Sequence, residues 1–406
     1  LQSESNLISR QTPTQRVVEL RVRAPEDAPK TQRAKLNLSL VVDRSGSMHG
    51  VKLENVKQAA LHVLDMLSST DRVSVVSFDD EVRVDAASSP VNTHSKSWIR
   101  ERIAAIHSGG STNLAGGWTQ GCQEVAANAE SERQVNRVLL LTDGLANVGI
   151  SDPEILTMHA RELAQRGVST STFGVGEGFN EHLLEGMANN GSGNFYYINS
   201  PQEIPSIFMR EFKEITTVTA HNVSVNLTIP EHTSAQVLGG WRYTQDGNNL
   251  NLHLGDLVGG REQLIYIKLL LPPSADTQSL VVHANATGTG LLGRDLSDDA
   301  QLRFSYASEA ELAAAPVAQD VLERFASVEM SDQTTEALKL ERDGQREQAR
   351  KQLLLALEEH QSNIPPGQAK YYEEMADRMK IGMAEGDRKS SQYASYLRKL
   401  GREVTQ

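Results

Sequence analysis

Cysteine is nearly missing from this chain. Cys122 stands alone among 406 residues, so no intrachain disulfide can hold the fold together, and the residue reads as a small buried side chain on a helix. An excess of positive charge is missing too. Asp and Glu number 52 against 40 Lys and Arg, a net charge of −12, which excludes the basic footprint a nucleic-acid partner needs and disfavours docking on an anionic membrane. No run approaches the roughly 18 apolar residues of a membrane-spanning helix. The opening LQSESNLISRQTPTQ lacks the apolar core of a signal peptide. These features favour a cytoplasmic location; because the first residue is not Met, an extracytoplasmic one is the alternative if the N-terminus is processed.

Catalytic signatures are equally scarce. There is no G-x-x-x-x-G-K-[ST] phosphate loop and no G-x-S-x-G nucleophile turn. Gly174-Val175-Gly176-Glu177-Gly178 lacks the full spacing of a dinucleotide-binding turn, and His49, His107 and His159 share no metal-ligand spacing. Ser45 has no base beside it. The expectation is a protein that is not an enzyme.

What is present is ordinary globular material, 39% hydrophobic and 23% charged, too long for one typical domain. Residues 1–12 read as loose, residues 16–23 (RVVELRVR) as an alternating, half-buried strand, and APEDAPKTQ (24–32) as a linker. From residue 35 to 213, apolar runs such as KLNLSLVVD and RVLLLTDG alternate with amphipathic segments such as VKLENVKQAALHVLDML. Strands apolar on both faces, separated by helices, mean a doubly wound, mostly parallel α/β sheet. Residues 214–307 are short strands with turn signals, including a DGNN hairpin, and read as a β-sandwich. The strand within 1–34 has no local partner and is expected to complete that sandwich. Residues 308–406 read as helices, over 309–330, 332–362 and 369–401, with a helical hairpin at 334–360.

Three loops carry the chemistry. Asp43-Arg44-Ser45-Gly46-Ser47 follows the first strand of the α/β region and brings a carboxylate and two hydroxyls to one turn. Gly109-Gly110-Ser111-Thr112-Asn113 presents another hydroxyl, and Thr142-Asp143-Gly144 a second carboxylate at a strand end. In open α/β sheets ligands bind at that edge. Turn preference explains any one of Asp43, Ser45, Ser47, Thr112 and Asp143, but not all five together. Hard oxygen donors without His or Cys suit Mg²⁺ or Mn²⁺, with Ca²⁺ less favoured. Arg44, His49 and Asn113 flank these positions and are expected to line a binding face, Arg44 by a two-pronged grip on a carboxylate.

D-x-S-x-S, then Thr in a GGST loop, then TDG, in this order, resembles the metal-ion-dependent adhesion site of von Willebrand factor type A domains, over roughly residues 35–213. The resemblance implies that the hydroxyls of Ser45, Ser47 and Thr112 touch the metal, that Asp43 and Asp143 act often through water, and that a Glu or Asp of a protein partner completes the shell. Beyond 213 the order of elements is similar to bacterial and plant A-domain proteins. The implied function is metal-dependent protein–protein interaction in a bacterial cytoplasm. Two alternatives stand beside it: a regulatory or scaffold subunit for a catalytic partner of ATPase or chelatase type, and a Mg²⁺-dependent hydrolase.

Overall fold

The apolar run after residue 34 forms the middle of a six-stranded sheet. The computed structural model describes residues 1–26, 33–129, 134–275, 278–290 and 293–402, so most of the linker expected at 24–32 lies outside the described residues. Three strands come first: β1 (Gln2–Ser3), β2 (Leu7–Ser9) and β3 (Thr14–Arg23). The α/β unit follows as β4 (Lys35–Asp43), α1 (Val51–Met66), β5 (Arg72–Phe78), β6 (Val82–Pro90), α2 (Thr93–Ala104), α3 (Leu114–Ala126), β7 (Gln134–Thr142), α4 (Pro153–Gln165), β8 (Ser169–Val175), α5 (Glu181–Asn190), β9 (Phe195–Ile198) and α6 (Ile204–Thr216). Its strand order is β6-β5-β4-β7-β8-β9, parallel except for the β5–β6 hairpin.

Strand alternation sorts the apolar side chains into two cores. Leu36, Leu38, Leu40 and Val42 of β4 meet α1, α2 and α6 on one face. Val41, with Val138 and Leu140 of β7, meets α3, α4 and α5 on the other. The sheet is therefore covered on both sides, as near-continuous apolar strands require. The strand order reverses between β4 and β7, and at such a switch point the loops diverge to leave a crevice beyond the carboxyl ends of the strands.

After α6 come β10 (Val218–Thr228), β11 (Ser234–Val237), β12 (Arg242–Asp246), β13 (Asn249–Val258), β14 (Glu262–Leu271), β15 (Leu280–Gly290) and β16 (Asp295–Ala307). They form two sheets, of order β1-β3-β14-β11 and β12-β13-β10-β15-β16-β2. Strand β3 pairs antiparallel with β14 along its whole length, from Thr14↔Leu271 to Arg23↔Glu262. Val18 and Leu20 of β3 share one apolar cluster with Val225, Leu252, Ile265 and Phe304 from both sheets. The first twelve residues, expected to be loose, are instead partly strand. Ile8 is fully buried in that cluster, and Leu7–Ser9 runs parallel to the end of β16, so backbone pairing and one apolar anchor override a polar composition.

The helical region consists of α7 (Glu309–Ala314), α8 (Gln319–Arg342), α9 (Arg346–Glu359), α10 (Pro366–Ile381) and α11 (Glu385–Lys399). The break between α9 and α10 falls where it was expected, after about residue 360, and α8 and α9 form the hairpin expected at 334–360; the break expected at residue 331 is not there. The chain remains helical through Ser331 and Asp332, because Ser331 bonds back to the Ser327 carbonyl at 2.8 Å. It turns at Gly344, inside that hairpin, and at Gly382, where no break was expected; their positive φ of 81° and 110° suits glycine. Helix α11 returns to the α/β unit and packs Tyr396 and Leu397 into its second core.

Candidate metal centre

Each of the three loops continues a strand or enters a helix at the switch point. Asp43 is the last residue of β4, and its carboxylate accepts from the Ser45 amide at 2.8 Å and from the Thr142 hydroxyl at 2.5 Å. A short 3-10 turn over Gly46–Met48 then lifts Ser47 to the surface, its Oγ 3.2 Å from that of Ser45. Ser47 donates to Asp143 Oδ1 at 2.6 Å, so loops 99 residues apart or nearly so close on one point. Thr112 is fixed by Asn147, whose Oδ1 accepts from the Thr112 amide at 2.8 Å. A Cβ on Gly144 would lie 3.3 Å from Thr112 Oγ1 and 3.9 Å from Ser47 Oγ, which places both hydroxyls around one small cradle beside Asp143. The loops are also tied by backbone bonds, Gly46 N–H to the Gly110 carbonyl at 3.1 Å and Gly109 N–H to the Arg44 carbonyl at 2.8 Å.

All five expected positions are thus brought together. Asp43, Ser45, Thr112 and Asp143 are buried and Ser47 is exposed, so the cluster opens to solvent on one side. Burial pushes the Asp43 carboxyl up to about 6, and the neighbouring Asp143 charge adds to the rise against the bonds from Ser45 and Thr142. Two carboxylates held close in a partly dry site call for positive charge. The chain itself supplies one: the Lys52 ammonium, from the first turn of α1, sits on Asp143 Oδ2 and lies 3.3 Å from the Ser47 carbonyl. The donor set, two carboxylates and three hydroxyls with an ammonium drawn to it, fits a hard divalent cation.

Of the flanking residues, Arg44 and Asn113 are engaged within the chain and His49 is exposed. Arg44 does make a two-pronged carboxylate pair, but with Asp79 of its own chain, at 2.7 and 2.8 Å, and its side chain is 11% exposed. Its guanidinium is committed to bracing the first loop rather than lining an open face. Asn113 caps α3, accepting from the Gly116 amide at 3.0 Å. His49 is exposed, with Nδ1 3.1 Å from Ser108 Oγ. Sequence reasoning passed over Lys52 and Asn147, and it named Thr142 without giving its hydroxyl the bond to Asp43. Lys52 did carry a signal, since a cation in the first turn of a helix opposes the helix dipole and wants a nearby anion.

With this geometry in view, a family model for the von Willebrand factor type A domain matches residues 37–210. The chain is 30% identical over 281 residues to the uncharacterized protein sll0103 of Synechocystis sp., a match over 67% of this chain and 65% of that protein. It is 30% identical over 248 residues to the uncharacterized protein YfbK of Escherichia coli K12, over 58% of this chain and 42% of that protein. The chain therefore spans less than two thirds of the length of both relatives. Among solved structures, a von Willebrand factor type A protein from Catenulispora acidiphila superposes over 97% of this chain and 95% of its own, with a TM-score of 0.75 at 16% identity. That likeness concerns the fold, including the parts outside residues 37–210.

Proposed function

Since this chain carries a von Willebrand factor type A domain over residues 37–210, we propose that its loop cluster binds a divalent cation and, through it, an acidic side chain of a partner protein. Domains of this type commonly mediate protein–protein interaction. The metal-dependent form of that role rests on one observation above all: five oxygen-bearing side chains from three loops converge at the sheet's switch point and already attract an ammonium. In this reading Ser45, Ser47 and Thr112 hold the cation by their hydroxyls. Asp43 and Asp143 accept from those hydroxyls and from bound water, and the exposed side next to Ser47 admits the partner's Glu or Asp. When bound, Mg²⁺ or Mn²⁺ supplies the charge that links the two proteins. No nucleic acid takes part.

The same reading treats residues 214–307, with the strand from 1–34, as a sandwich built around the α/β domain at 35–213, and residues 308–406 as a helical region. Helix α6 reaches Thr216 and β10 begins at Val218, so a shift of α6 on metal binding would turn one unit against the other. Capture of partners from solution on immobilised protein tests the function. Retention with Mg²⁺, release by EDTA and no retention by Asp43→Asn are expected. Retention unaffected by EDTA would contradict a metal-borne contact and move the binding surface to the sheets or the helices.

A further inference from the structure

Where the α/β unit, the antiparallel sheets and the chain end meet, guanidinium groups outnumber carboxylates. A cavity of about 90 Å³ is lined there by Arg137, Arg242, Arg261 and Arg402, with Glu214 and Asp256. Both carboxylates are already shared. Glu214 takes Arg261 at 3.2 Å and Arg402 at 3.1 Å, and Asp256 takes Arg137 at 3.1 Å and His221 at 3.2 Å; behind the cavity wall Glu211 also takes Arg137, at 3.1 Å, which leaves Arg242 as the unmatched guanidinium of the lining among the described residues. Arg242 has no carboxylate partner among the described residues; it donates to the Asn190 carbonyl at 3.3 Å. It stands directly across the β12–β13 ladder from His253, another cavity residue, a placement that sets two basic groups side by side. Arg161 of α4 adds a third: burial first, then the Arg161 charge, makes Arg242 less willing to hold a proton, and burial, then the Arg242 and Arg161 charges, do the same to His253. Three buried nitrogens of the lining, Arg137 Nε, Arg261 Nη1 and Arg402 Nε, have no hydrogen-bond partner, and neither has the acceptor Gln263 Oε1. Unsatisfied buried polar groups are rare in a settled interior and ask for a missing partner.

We infer that this junction is a binding site for a small phosphate-type oxyanion. Its surplus of donors and positive charge selects an anion. Its size admits a group of only a few heavy atoms, since a single water needs at least about 10–15 Å³ by the same measure. The unpartnered Gln263 acceptor favours an anion that keeps an O–H of its own, which hydrogen phosphate has at neutral pH and sulfate has not. The site shares no residue with the metal centre and would pin three parts of the chain together. Calorimetric titration of low-millimolar inorganic phosphate into the full chain, in EDTA, tests it against sulfate and chloride at matched ionic strength, a range in which general salting-out stabilisation is small. Saturable phosphate binding is expected, retained by Asp43→Asn, so that it stands or falls apart from the metal reading. Arg242→Gln, which breaks no ion pair, is expected to weaken it at least tenfold, and Gln263→Glu, which puts a negative charge on the lining at nearly constant volume, is expected to abolish it. No saturable heat with phosphate, equal response to sulfate, or unchanged affinity in both variants would overturn the assignment.

Discussion

Asp43 shows how one residue can hold a site in readiness. Its carboxyl is raised by burial to about 6 from an ordinary 3.8, so in the metal-free fold the proton is favoured more than in the unfolded chain. That works against stability as pH rises from about 4 to 6, and the deficit is complete above 6. In the proposed site a bound cation would displace the proton and offset the deficit. The rise in melting temperature caused by Mg²⁺ is therefore expected to be larger at pH 7.5 than at pH 5; equal rises at both would contradict an Asp43-centred site. Lys52 makes the complementary case. Its ammonium sits on Asp143, so Lys52→Met is expected to lower the melting temperature in EDTA and tighten Mg²⁺ binding several-fold, measured by titration. Unchanged affinity would mean that Lys52 and the cation do not compete. The five oxygen donors could be read from sequence because their types and loop positions are distinctive. Arg44 and Asn113 could not be placed correctly, since whether an Arg meets Asp79 or open solvent, and whether an Asn caps its own helix, is settled by the packing of three loops distant in sequence.

At the scale of elements, the glycines of α3 look in sequence like weak points in a helix, and the fold gives the reason for them. A Cβ on Gly117 would come within 2.3 Å of Phe78 Cδ1, and one on Gly121 within 2.2 Å of Val41 Cγ2. The helix lies so close to the sheet that only glycine fits. Gly121→Ala is expected to destabilise the protein by about 1–3 kcal/mol in denaturant unfolding, because overpacking a stiff Val outweighs the gain in helix propensity of up to ~1 kcal/mol. A stabilising effect would show that α3 can move outward freely. The long periodic elements were legible: β4, β7 and α1 fall where the apolar pattern put them. Strand β2 was not, because three residues carry no measurable period and its pairing partner β16 lies some 300 positions later. In the helical region the break after about residue 360 and the hairpin at 334–360 were legible, whereas the break expected at Ser331 is bridged by its own helix and the turn at Gly382 rests on a left-handed glycine.

The whole molecule is drawn together by its last helix. Lys389 of α11 is 1% exposed and meets Glu181 at 2.7 Å, and the Tyr396 hydroxyl accepts from the Phe195 amide at 2.9 Å. Removing one partner of a buried pair leaves an uncompensated charge. Lys389→Met is expected to cost about 3 kcal/mol, the lower end of the usual range because Arg342 still pairs with Glu181. Loss of less than about 1 kcal/mol would mean that α11 is held by its apolar face alone. No helix among the described residues is long and apolar enough to cross a membrane. The claim that unites these scales is that the three loops form a cation site. Calorimetric titration of Mg²⁺ into the wild type and Asp43→Asn at pH 7.5 tests it most directly. Saturable one-to-one binding in the wild type, lost in the variant while the fold is retained, is the result expected; binding that is absent from both, or equal in both, would contradict it.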